Sequence, residues 1–143
     1  MEIKRSASAR WSGGLKDGRG SISTQSGVLR DQPYGYATRF ENDPGTNPEE
    51  LIGAAHAGCF TMALSLILAQ SGHAPERLET NALVTLKQTG QSFEISAVHL
   101  VLEGEVPNID AGAFRQAAET AKSNCPVSKL LNAEITLDAK LTK

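Results

Sequence analysis

The chain has 143 residues, 40% of them hydrophobic and 21% charged, with a formal net charge of −2. That length predicts one domain spanning residues 1–143, able to bury roughly two thirds of the surface its unfolded form exposes. Acids and bases are nearly balanced and interspersed, which argues against nucleic acid or an anionic membrane as a partner.

Near the N-terminus Lys4 and Arg5 are followed by no apolar run. The segment does not read as a secretory signal, and the expected location is cytoplasmic. The first third is rich in Gly, Ser and Thr, and its short alternating runs SASARW, GSISTQS and YGYATRF are separated by the turn signals SGG, KDG and QP. These predict an antiparallel meander. Thr46 or Asn47 then caps a helix that Pro48 opens, Glu49 and Glu50 favour by charge, and Gly72 ends. From Leu78 the run LETNALVTL alternates, TGQ turns the chain, and FEISAVHLVLEGEV returns, predicting a hairpin. Asp110 caps a second helix over AGAFRQAAETAKSN, a short helix VSKLLN follows Cys125-Pro126, and EITLDAKLT closes the chain as a strand. Strands, helix, hairpin, helices and strand in that order predict the α+β class.

The first helix carries no Asp, Glu, Lys or Arg from Leu51 to Gln70. A membrane span is rejected because Gly53, His56, Gly58, Thr61, Ser65 and Gln70 dilute the run and its flanks are ordinary soluble sequence. A helix apolar on every face has to be enclosed by protein. One chain of this size, with mostly sheet besides, hardly covers ~36 Å of helix on all sides. A second subunit is the expected cover, with Ala54, Ala55, Ala57 and Gly58 allowing close approach of another backbone.

The cysteines, Cys59 and Cys125, are too few for a disulfide scaffold and lack CxxC spacing. Cys59, inside AAHAGCFTMAL, reads by itself first as a small core hydrophobe and second as a nucleophile. Cys125 falls before Pro126, a favoured first helical residue. As N-cap its thiolate would be stabilised by the helix amides, so position alone favours Cys125 as the nucleophile. His56 stands three residues before Cys59 on the same face, but two candidate ligands with no further cluster do not make a metal site, and no metal or cofactor is expected.

The segment TNPEELIGAAHAGCF, with QPYGYATRF upstream and NCPVSKLL downstream, resembles the OsmC-like family of organic hydroperoxide peroxidases, and the resemblance runs the full length. It implies a thiol peroxidase that reduces organic hydroperoxides and, less selectively, hydrogen peroxide. It reverses the assignment suggested by capping: Cys59 is the peroxidatic cysteine, Cys125 resolves it, and Arg39 with Glu49 forms the supporting pair. The implied fold is an intertwined homodimer with long central helices enclosed by antiparallel sheets, and the implied reductant is an external dithiol.

Those roles fit the residue types. Attack on a peroxide requires thiolate, burial disfavours it, and a cation therefore has to reach Cys59. Arg39 offers a permanently charged fork that Glu49 can hold while leaving donors free. Cys125 condenses with the Cys59 sulfenic acid before overoxidation, and Phe60, Met62, Tyr34 and Tyr36 are candidates for an apolar substrate surround. Glu49 and Cys59 stand ten residues apart on one helix, about 15 Å along its axis. If both serve one site, Glu49 is the partner's, and each of two sites is built by both chains. Two rivals remain. Acyl transfer with His56 as base lacks a group to orient the imidazole and a legible oxyanion hole. The other is a dimeric binding module for apolar small molecules, without turnover.

Overall fold

Three short strands open the computed structural model, which describes residues 1–143. The chain divides into two units, residues 1–51 and residues 52–143.

In the N-terminal unit β1 (Ala7–Ser12), β2 (Arg19–Thr24) and β3 (Gln32–Tyr34) form the expected antiparallel meander in that order. The register aligns Trp11, Gly20 and Tyr34 in one row across the three strands. A Cβ on Gly20 would lie 2.5 Å from both aromatic rings. Only glycine in the middle strand lets Trp11 and Tyr34 meet edge to face, at 5.5 Å between centroids.

The run YGYATRF, expected as a strand, ends its extended conformation at Tyr34, and Tyr36–Phe40 forms a short helix, α1. Over five residues the alternation Tyr-Ala-Thr-Arg-Phe suits either period, so local polar groups decide. Thr38 Oγ1 accepts from the Gly35 N–H at 2.9 Å and donates to the Gly35 carbonyl at 3.1 Å, closing the first turn. Asn47, rather than Thr46, caps the long helix α2 (Pro48–Gln70), its Oδ1 accepting from the Glu50 N–H at 2.8 Å. The Asn47 Nδ2 donates to the Thr38 carbonyl at 3.0 Å, tying α1 to the start of α2.

Most of α2 belongs to the C-terminal unit, which continues with β4 (Arg77–Thr89), β5 (Ser92–Glu105), α3 (Ala111–Asn124), α4 (Pro126–Leu130) and β6 (Glu134–Leu141). The predicted hairpin β4–β5 is antiparallel and turns at Gly90, whose φ of 65° suits glycine. β6 joins the other side of β5 in parallel, a pairing that needs a long crossover, here α3 and α4. Asp110 caps α3 by accepting from the Ala113 N–H at 2.8 Å.

The hydrophobic core follows from three matched periodicities. α2 contributes Phe60, Leu64 and Leu68, β5 contributes Val98, Leu100 and Leu102, and α3 contributes Phe114, Ala118 and Ala121, all buried. Gly104 on β5 gives Phe114 its place, since an added Cβ would lie 2.8 Å from that ring.

By length and hydropathy α2 would pass for a membrane span. Its stripe Gly53, His56, Phe60, Leu64 and Leu68 is instead buried, as in a core helix. One chain buries that stripe fully and its flanks only in part. Ala54, Ala55 and Gly58 are exposed on it, as are Met62 at 77% and Leu66 at 59%.

Candidate active site

Cys59 stands next to Phe60 on α2, at the flank of the buried stripe, and is partly buried against the core. Cys125 continues the apolar face of α3 (114, 118, 121, 125) and is fully buried. It is also the joint between two helices, its N–H bonded to the Ala121 carbonyl at 2.9 Å and its carbonyl accepting from Lys129 at 3.1 Å. Because α2 and α3 pack into the same core, the two free thiols are neighbours there, close enough for Cys125 to influence the ionisation of Cys59.

The helix that follows Cys125 serves the other cysteine. As N-cap of α4, Cys125 makes no side-chain capping bond. Pro126 at the first helical position has no N–H, so the first backbone donor of α4 is Val127, and it is directed at the Cys59 sulfur. Burial pushes the Cys59 thiol above its ordinary pKa, the Val127 N–H opposes that rise, and the neighbouring Cys125 adds to it. Within this unit, then, Cys59 has a backbone donor to its thiolate but a net bias toward the neutral thiol.

His56 lies on the buried stripe of α2, one turn before Phe60, and is fully buried. Its Nε2 is 2.8 Å from Ser128 Oγ on α4, whereas its Nδ1 is buried without a partner. Burial lowers the pKa of the imidazole, so it is held neutral.

The second pair of predicted residues meets in the N-terminal unit. Arg39, in the last turn of α1, donates from Nε to Glu49 Oε1 at 3.0 Å and from Nη2 to Oε2 at 2.9 Å. This bidentate pair is half-buried on the arginine side and nearly buried on the glutamate side. The hydrogen bond and charge of Glu49 raise the already high pKa of Arg39. Nη1 and the second Nη2 proton stay uncommitted to the carboxylate. Beside the fork lies a cleft of about 220 Å³ lined by Trp11, Leu15, Tyr34, Tyr36 and Phe40. Tyr36 and Phe40 stack tilted at 4.9 Å, and the Arg39 guanidinium sits 5.4 Å from the Phe40 ring.

Among the apolar candidates, Tyr34 and Tyr36 line this cleft, Phe60 is core and Met62 is exposed. Sequence reasoning missed Val127, Ser128, Trp11 and Leu15. A proline at the first helical position was the available signal for Val127, since it makes the next amide the first free donor. For Trp11 the signal was Gly20, a mid-strand glycine that marks close approach of neighbouring side chains.

The family model described as "OsmC-like protein" matches residues 40–140. Peroxiredoxin OsmC of Escherichia coli is 52% identical over 99% of each chain. Organic hydroperoxide resistance protein OhrA of Bacillus subtilis is 31% identical, over 67% of this chain and 68% of that one. The fold resembles the crystal structure of the B. subtilis organic hydroperoxide resistance protein OhrB, with a TM-score of 0.67 at 24% identity, covering 96% of this chain and 98% of that one.

Proposed function

The chain belongs to the OsmC-like family, and from that membership we propose that it is a cysteine-based peroxidase reducing organic hydroperoxides to alcohols. The observation that carries this reading is the meeting of two free thiols, Cys59 and Cys125, with a backbone N–H directed at the first. The Cys59 thiolate attacks the distal oxygen of the hydroperoxide. The O–O bond breaks, the sulfur becomes a sulfenic acid, and the alkoxide leaves as an alcohol after taking a proton. Cys125 then attacks the sulfenic sulfur, a disulfide forms and water departs. An external dithiol returns the two electrons.

Arg39 completes this chemistry. Burial opposes ionisation of Cys59, and a guanidinium with free donors favours the thiolate first and the departing oxygen afterwards. The aromatic cleft beside Arg39 suits the organic part of the substrate. The uncovered face of α2, from Ala54 to Leu66, supports a homodimer in which small residues and Met62 meet a second copy. Glu49 precedes Cys59 by ten residues on α2, so in that homodimer Arg39 and Glu49 act on the partner's Cys59. A reducing cytoplasm suits two free thiols.

Cumene hydroperoxide added to the reduced protein tests the reading. Loss of two thiols for each alcohol formed is expected. Cys59→Ser should abolish it, and Cys125→Ser should perform one reduction and stall with Cys59 oxidised. Equal, complete loss of the first step in both variants would overturn the division of roles. No alcohol from the wild type would favour a binding module.

A further inference from the structure

Cys125 and Val127 reach Cys59 only while α4 holds its place, yet α4 is a weakly anchored element. It has five residues, none fully buried, and no side-chain cap at its N-terminus. Its backbone is tied to α3 through Cys125, and Val127 packs partly on the core. The side-chain hydrogen bond that joins α4 to α2 links Ser128 Oγ and His56 Nε2 at 2.8 Å. His56 sits three residues before Cys59 on α2, and Ser128 three residues after Cys125. The bond therefore spans the same gap as the two sulfurs, beside them.

The imidazole makes this bond hard to release. His56 is fully buried, and its Nδ1 has no partner. Ser128 is thus the single polar partner of the ring, and a shift of α4 would leave both nitrogens desolvated and unsatisfied, a worse state than loss of an ordinary surface hydrogen bond. Two better-solvated partners, by contrast, would let α4 slide at little cost.

We propose that His56 and Ser128 are a positioning pair that holds α4 against α2, so that the Cys125 sulfur and the Val127 N–H face Cys59. The inference rests on the redox roles proposed above for Cys59 and Cys125. The pair takes no redox step itself. It sets the effective concentration of Cys125 at Cys59, and with it the rate of disulfide closure and the reduction potential of the disulfide.

The test uses Ser128→Ala, which removes the hydroxyl from a half-buried position, and Ser128→Thr, which restores it. His56→Leu and His56→Gln form a second pair that removes or keeps a hydrogen-bonding group, in case either serine variant fails to fold. Disulfide equilibrium is measured against a reduced and oxidised glutathione couple without peroxide, where the Cys59–Cys125 disulfide and two glutathiones exchange with the dithiol and glutathione disulfide. In Ser128→Ala the equilibrium constant for closure should fall about tenfold, equal to about 30 mV toward easier reduction for a two-electron couple. Sulfenic acid at Cys59 should persist after one equivalent of cumene hydroperoxide, and a second equivalent should carry it to sulfinic acid. Ser128→Thr should lie within threefold of wild type on both readouts. A wild-type protein that forms no Cys59–Cys125 disulfide would refute the redox roles themselves. A normal wild-type disulfide with Ser128→Ala at the wild-type constant, whatever its melting temperature, would refute the positioning pair alone. So would Ser128→Thr behaving as Ser128→Ala.

Discussion

Replacing Arg39 by Lys keeps the charge and removes the fork, which makes it the sharpest probe of the proposed chemistry. Arg39 spends two N–H donors on Glu49, at 3.0 and 2.9 Å, and both oxygens of the carboxylate are engaged. An ammonium on a four-carbon stem cannot bridge both oxygens and still aim a second row of donors elsewhere. A charge-assisted hydrogen bond contributes about 1.5–3 kcal/mol. The Arg39 side chain is 34% exposed, so the lower end applies, and about 1.5 kcal/mol of ordering is lost with the first bond. That alone is roughly tenfold in rate, and losing a donor to the developing alkoxide adds roughly 10²–10³ in comparable sites. The oxidation of Cys59 by cumene hydroperoxide, followed by stopped flow under pseudo-first-order conditions, should therefore fall by roughly 10³-fold or more. The melting temperature should drop by only a few degrees. A rate within threefold of wild type would mean that the planar fork is not used. If Arg39→Met were slow while Arg39→Lys stayed fast, charge alone would be sufficient.

Three further outcomes are expected. Cys59→Ser and Arg39→Met, each inactive alone, should recover about a quarter of wild-type activity when denatured and refolded together, because half the dimers are mixed and each of these regains one intact site; no recovery, with heterodimers confirmed by native mass spectrometry, would place Arg39 and Cys59 of one chain in one site. Burial holds native His56 below the ordinary pKa of 6.5, so the unfolded chain takes up a proton that the native state refuses, and stability should be lost as pH falls below about 6.5, by up to about 1.4 kcal/mol per unit; urea unfolding at pH 7.5 and 5.5 should show a smaller loss in His56→Gln, and an equal loss would refute the assignment. Gly104→Ala, whose Cβ would lie 2.8 Å from Phe114 and 3.0 Å from Leu78, should destabilise by about 1–3 kcal/mol and lower the melting temperature by several degrees; an unchanged melting curve would show that the Phe114 ring yields freely.

The elements with long or locally punctuated patterns were legible without coordinates. α2 announced itself through Asn47-Pro48, two acids in its first turn and a charge-free run, and Asp110 marked the start of α3. β4 and β5 were visible because an alternation sustained over a dozen residues fits only one period. Cys59 and Cys125, with Arg39 and Glu49, stood out as a constellation by their flanking residues. Other features depended on groups distant in sequence. Tyr36–Phe40 is too short for its pattern to choose between helix and strand, and Thr38 and Asn47 settled it through hydrogen bonds. The amide at the start of α4 faces Cys59 and not its own cap residue, because the shared core of α2, β5 and α3 brings the thiols together. His56 and Ser128 are 72 residues apart in sequence. Neither neighbourhood shows a buried imidazole with one partner, since burial and pairing belong to the packed chain, whereas capping and periodicity belong to the segment that carries them.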